Sequence, residues 1–319
     1  MIRAPVPLTL TLAVTLALPA CTGGTPEKNA TSADPTAGEP EAVSLLGEPL
    51  YAPAPDPVAN EALERNLAEA RAAYARDPND ADAILWLGRR LAYLGRYREA
   101  IATFSEGIRK HPDDPRFYRH RGHRWITVRE FDRAIADLDR AAALVRGRPD
   151  RIEPDGIPNA FNIPRTTLQF NIWYHLGLAH YLKGDFARAR AAFDASMNVA
   201  TNDDMIVAAA DWLYMTLRRL GRTEEAAAVL ARVYPDMEIL ENHAYHRRLL
   251  MYKGLLSPDG LLADAADPLQ RATRGYAVGN WHLYNGDTAR AADVFRNVLS
   301  NGVWSAFGHI AAEAELSRM

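Results

Sequence analysis

The sequence predicts an all-α protein, an array of helical hairpins preceded by a disordered N-terminal tether. Three observations carry that prediction. Small and helix-ending residues recur 34 positions apart, as in Gly88 and Gly122, Ala100 and Ala134, and Pro78 and Pro112. Between them the apolar residues follow helical periodicity, not the alternation of strands. Ahead of them, residues 21–57 are rich in Pro, Thr, Ala, Gly and Ser and carry too few large apolar side chains to bury a core.

The composition is that of a folded protein. Of 319 residues, 48% are hydrophobic and 24% charged, which excludes a wholly disordered or collagen-like chain. A net charge of −3 gives no global basic field, so nucleic acid is not expected as a partner. The single Cys excludes an internal disulfide framework and any cysteine-cluster metal site.

That cysteine lies at an informative place. Residues 1–20 begin with Arg3 and continue in an apolar run from Val6 to Leu18, the size of a signal peptide and too short to span a bilayer. Leu18-Pro19-Ala20-Cys21 resembles the bacterial lipobox, with Pro19 a less usual choice within it. The resemblance implies cleavage before Cys21 and acylation of its thiol and its new amine. Thr22 follows, with no Asp to retain the protein at an inner membrane, so the expected address is the bacterial outer membrane, facing the periplasm. Residues 21–57 would then be the anchored tether.

Residues 58–80 read as a capping helix, and the array as residues 81–319. Its units are 81–114, 115–148, 170–203, 207–238, a degenerate 239–270 and 272–302, with an insert at 149–169 and a cap helix at 303–318. Gly88, Gly122, Gly177 and Gly279 let the first helix of a unit approach its neighbour, and Ala100, Ala134, Ala189, Ala226 and Ala291 do the same for the second. Gly95, Gly184, Gly221 and Gly286 stand where a first helix stops and positive φ is wanted. This frame resembles the tetratricopeptide repeat, which implies a right-handed solenoid with the first helices lining a concave groove. Lipobox, Pro-rich tether, repeats and C-terminal helix together resemble the NlpI-type lipoproteins. Those are outer-membrane repeat proteins that serve cell-wall hydrolases and a processing protease as adaptors. The insert is not part of that pattern. The stretch from Glu153 to Leu182 also resembles an uncharacterised group of bacterial repeat proteins, which implies no function.

The most unusual segment is 109–124, RKHPDDPRFYRHRGHR. Arg116, Arg119, His120 and His123 recur there at helical spacing. With Arg89 before and Asn171, Tyr174 and His175 after, they read as a cationic and aromatic groove wall suited to carboxylates of a protein or peptide partner. The competing reading is a solvated charged face in an Arg-rich protein. The Lys and Asn positions of the chaperone-binding carboxylate clamp are not reproduced. The pairs His120/His123 and His243/His246 lack a zinc motif and are flanked by Arg, so no metal and no cofactor is expected. Nor are nucleophile or phosphate-loop signatures present. The chain therefore reads as a lipid-anchored adaptor, not an enzyme. A binder of cell-wall glycan or peptide fragments stays open, as does an enzyme beneath the 147–169 loop using Glu153 and Asp155.

Overall fold

The computed structural model describes residues 39–53, 57–263, 265 and 267–319. The expected signal peptide, Cys21 and residues 22–38 of the expected tether lie outside the described residues.

Helices dominate. A hairpin of two-residue strands, β1 (Ala42–Val43) and β2 (Pro49–Leu50), precedes α1 (Pro57–Arg76). Hairpins then follow: α2 (Ala81–Tyr93) with α3 (Tyr97–Lys110), α4 (Pro115–Thr127) with α5 (Phe131–Val145), and α6 (Leu168–Leu182) with α7 (Phe186–Val199). Next come α8 (Asp203–Arg219) with α9 (Thr223–Ala231), and α10 (His243–Tyr252) with the short α11 (Pro258–Ala263). The last pair is α12 (Pro268–Tyr284) with α13 (Thr288–Leu299), and α14 (Phe307–Leu316) ends the fold. No helix among the described residues is long and apolar enough to cross a membrane.

Local chemistry sets the helix ends. Asp80, Thr167, Asn202 and Asp267 each accept a bond from the backbone N–H three residues on, capping α2, α6, α8 and α12. Gly95, Gly184, Gly221 and Gly286 end first helices at φ between +71° and +92°, where a Cβ would be strained. The second repeat breaks this rule, with Arg129 at the equivalent place and φ +68°.

Packing within hairpins is close. A Cβ on Gly88 would lie 2.4 Å from the Phe104 ring, and one on Gly279 2.4 Å from Phe295. Ala100, Ala134, Ala189, Ala226 and Ala291 are wholly buried. The main core runs from the second repeat to the C-terminus, centred on Trp212 with Tyr181, Phe193 and Tyr276 around it.

Two expectations need correcting. Residues 39–53, expected within the tether, are ordered against the array. Arg98 donates its backbone N–H to Glu41 (2.8 Å), and the Trp304 indole N–H donates to the Tyr51 carbonyl (2.7 Å). The terminal helix also does more than cover the last repeat. Its Gly308 packs tightly on the Ala272 backbone in α12, yet Trp304 meets the Tyr97 ring at the start of α3 and Phe307 meets His123 and His175. The C-terminal segment thus returns to the early repeats.

Candidate functional site

The first helices bring the expected wall together, but the chain itself engages it. Between α5 and α6 the insert closes on itself: Ile152 pairs with Thr167, Glu153 N–H donates to Thr166 O, and Leu168 N–H donates to Arg151 O. This places the Glu153 carboxylate against the wall. Arg119 Nε lies 3.1 Å from it, His120 Nε2 3.1 Å, and Asn171 Nδ2 donates at 3.1 Å. Arg89 donates to the Pro154 carbonyl at 2.7 Å and Arg90 to that of Gly156 at 2.6 Å.

Electrostatics fixes the charge states. Burial, reinforced by Arg119, pushes His120 down to about 3, so the ring is neutral at physiological pH. Its Nε2–H then donates to Glu153, leaving Nδ1 to accept from Arg119 Nη1 at 2.9 Å. Burial alone would raise Glu153, but Arg119 and His120 outweigh it and hold the carboxyl well below its usual range. His123 and His175 are likewise held far below the usual imidazole value, by burial first and then by neighbouring Arg side chains.

The other wall residues divide. Arg116 is half-buried and bonds Asp114, the cap residue of its own helix, and Asp82 in the preceding repeat, so it joins repeats. His175 bonds the Asn171 carbonyl and meets the His123 ring at a tilt, with centroids 4.3 Å apart. Tyr174 is buried in the core, accepting from the Trp212 indole and donating to the Tyr245 hydroxyl. The sequence placed it on the groove; depth puts it behind. Glu153 divides its two oxygens among three partners, Arg119, His120 and Asn171. Among the described residues no group of three or more His, Cys, Asp or Glu is placed to hold a metal.

Two features escaped the sequence reading. Arg124, on α4, lines a cavity of about 120 Å³ together with Arg89, Tyr93, Arg119, His120, His123 and Glu153. Arg129 is buried and grips Glu313 of α14 through two nitrogens, at 3.1 and 2.7 Å, and the Trp304 carbonyl at 2.9 Å. Nothing in a 34-residue frame marks a partner some 180 positions away.

Comparison with known proteins agrees with the hairpin geometry. Tetratricopeptide-repeat family models match residues 59–121 and 168–200. The chain carries tetratricopeptide repeats over these residues, and such repeats support a protein-interaction adaptor or scaffold. No curated protein matches. Similar solved structures include YrrB, a TPR protein with an unusual peptide-binding site, at 13% identity over 73% of this chain and 91% of that one, TM-score 0.42. Another is MamA from Desulfovibrio magneticus RS-1, at 16% identity over 55% of this chain and 85% of that one, TM-score 0.42.

Proposed function

We propose that the protein is a lipid-anchored adaptor of the bacterial outer membrane, facing the periplasm and acting in envelope or cell-wall maintenance. Cys21 carries the anchor. Binding, not catalysis, is its activity. The partner is a protein or peptide that presents a carboxylate to the wall of Arg89, Arg119, His120 and His123. The observation that supports this most is Glu153: what lies against the wall is a carboxylate on an extended stretch of chain. A partner would take that place by displacing the insert.

The experiment has two arms. Cys21→Ser should leave the protein outside the membrane fraction; a variant that still fractionates wholly with outer membranes removes the anchor reading. For the partner, an Arg119→Ala, Glu153→Ala double variant removes the wall's ion pair as a pair, leaving neither charge buried alone. Proteins recovered with the wild-type chain from solubilised membranes should bind this variant at least about tenfold more weakly, a difference of about 1.4 kcal/mol. Undiminished affinity would move the site off the wall.

A further inference from the structure

The cavity beside Glu153 has an imbalance of charge that the fold does not resolve. Three guanidinium groups line it, those of Arg89, Arg119 and Arg124, against one carboxylate, Glu153. Glu153 answers Arg119. Arg89 has only neutral acceptors, the Pro154 carbonyl and the Tyr93 hydroxyl, and lies over the Trp86 ring at 4.2 Å. Asp155 is the other carboxylate whose field reaches Arg89, and it does not line the cavity. Arg124 is half-buried and has the Tyr97 ring at 5.5 Å, with no hydrogen-bond acceptor or carboxylate among the described residues. A donor is left over too: Arg89 Nε is buried and makes no hydrogen bond among the described residues, and the His123 ring, packed on His175 and Phe307, also lines the cavity.

Holding cations together without matching counter-charge is costly, most of all for the buried Arg89 and Arg119. The cost registers at Arg124, where burial, aided by Arg119 and Arg89, pushes the guanidinium down to about 10. A fold keeps such a cluster where something anionic completes it. The volume, about 120 Å³, compares with roughly 30 Å³ for a water in the liquid. It has room for a small oxyanion. Guanidinium forks match the oxygens of such an anion in pairs.

We infer that the cavity between α2, α4 and the insert is a binding site for a small oxyanion of the phosphate type, held by Arg124, Arg89 and His123 beside the Arg119–Glu153 pair. This rests on reading the wall as anion-facing, and needs neither the lipid anchor nor a protein partner. With the anion in place the cavity's charge is near neutral and the insert is tied to the array from within.

The test uses the purified full chain in phosphate-free buffer, titrated with inorganic phosphate and, separately, with glycerol phosphate at matched ionic strength. Saturable binding of one phosphate per chain and a rise of a few degrees in melting midpoint are expected. Binding of glycerol phosphate as well identifies a phosphoryl group on a larger molecule as an acceptable source, and its exclusion identifies the free ion. Arg124→Met should weaken phosphate binding at least about tenfold while leaving the phosphate-free melting midpoint unchanged or higher, since an unpaired charge is lost. Arg188→Met, at an exposed arginine paired with Asp185, should bind as wild type. The inference is overturned if no saturable heat is seen or if sodium chloride reproduces the melting shift. It is also overturned if Arg124→Met lowers the phosphate-free midpoint with binding intact, which would make Arg124 structural. The same titration fails or succeeds whatever becomes of the adaptor reading, which is tested with protein partners.

Discussion

Two segments outside the repeat frame each deliver one glutamate to an arginine of the second repeat. The insert brings Glu153 to Arg119, and the terminal helix α14 brings Glu313 to Arg129. All four side chains are buried. What differs is the company each glutamate keeps. Around Glu313, α14 buries Ile310, Ala311, Ala312 and Ala314 almost completely. The insert leaves Ile152, Ile157 and Phe161 more than 60% exposed and is held chiefly by polar contacts. We expect the same ion pair to be locked in one region and hinged in the other. Apolar burial decides which, because it is the term that opposes opening.

The largest expected effect breaks the locked pair. Glu313→Ala leaves Arg129 buried without its counter-charge, and also removes an acceptor for the Leu45 N–H. A loss of about 3–5 kcal/mol in unfolding free energy is expected. Glu153→Ala leaves Arg119 in the same condition, but the insert can lift and admit water, so about 1–3 kcal/mol is expected. Urea denaturation of both variants checks the difference. Equal losses would mean that the insert is as fixed as the helix.

Acid should separate the two regions next. Burial, with Arg119 beside it, holds His120 down at about 3; burial, with Arg129 beside it, holds His309 down at about 4. Both folded values lie below the unfolded value of about 6.5. The stability they contribute is therefore complete above about pH 6.5 and is lost as pH falls toward the folded values. The loss runs at about 1.4 kcal/mol per pH unit for each ring, or about 2 kcal/mol each by pH 5. Glu153 titrates lower, so its ion pair survives that window. On the insert side the strain is relieved by local opening, on the helix side only by unfolding. Hydrogen exchange at about pH 5 should free the Glu153 and Leu168 amides, bonded to Thr166 O and Arg151 O, before that of Ile310. Simultaneous loss would join the two regions into one unit.

How legible this was follows from the same contrast. Gly95, Gly184, Gly221 and Gly286 were readable because a helix stop with positive φ is a local demand, and each glycine meets it. Helical spacing brings Arg119, His120 and His123 together, but it does not separate them from Arg116, which pairs with Asp82 and Asp114, or from Tyr174, which lies in the core. Nor was the occupant of the wall readable. Glu153 could be named as a carboxylate on a loop, but no local rule says that it reaches Arg119. Arg129 shows the limit most clearly. By the repeat frame it stands at a glycine's position, and only the fold shows a side chain that ties this strained turn to Glu313. Arg248 is similar: it is fully buried beside Asp211 at 2.9 Å and over the Tyr245 ring at 5.2 Å, and no short spacing marks that pairing. Local chemistry is written in short spacings, whereas long-range pairing depends on how the superhelix returns on itself.

The smallest effect sharpens the comparison most. Phe161 is 62% exposed at the turn of the insert. That turn is set by polar bonds: Asn159 Oδ1 accepts from the Phe161 and Ile163 amides, and Asn159 Nδ2 donates to the Ile163 carbonyl and to Glu241. Removing the ring takes away little buried apolar area and no hydrogen bond among the described residues. Phe161→Ala should therefore change the unfolding free energy by no more than about 0.5 kcal/mol. It should also leave exchange of the Glu153 and Leu168 amides as it is in the wild type. If the insert were held by apolar packing, as α14 is, the same substitution would cost about 3–5 kcal/mol, as for a buried Phe. Urea denaturation reads that difference directly. A loss above about 1 kcal/mol would show that the ring packs, and the insert could no longer be treated as a polar strap that a partner can displace.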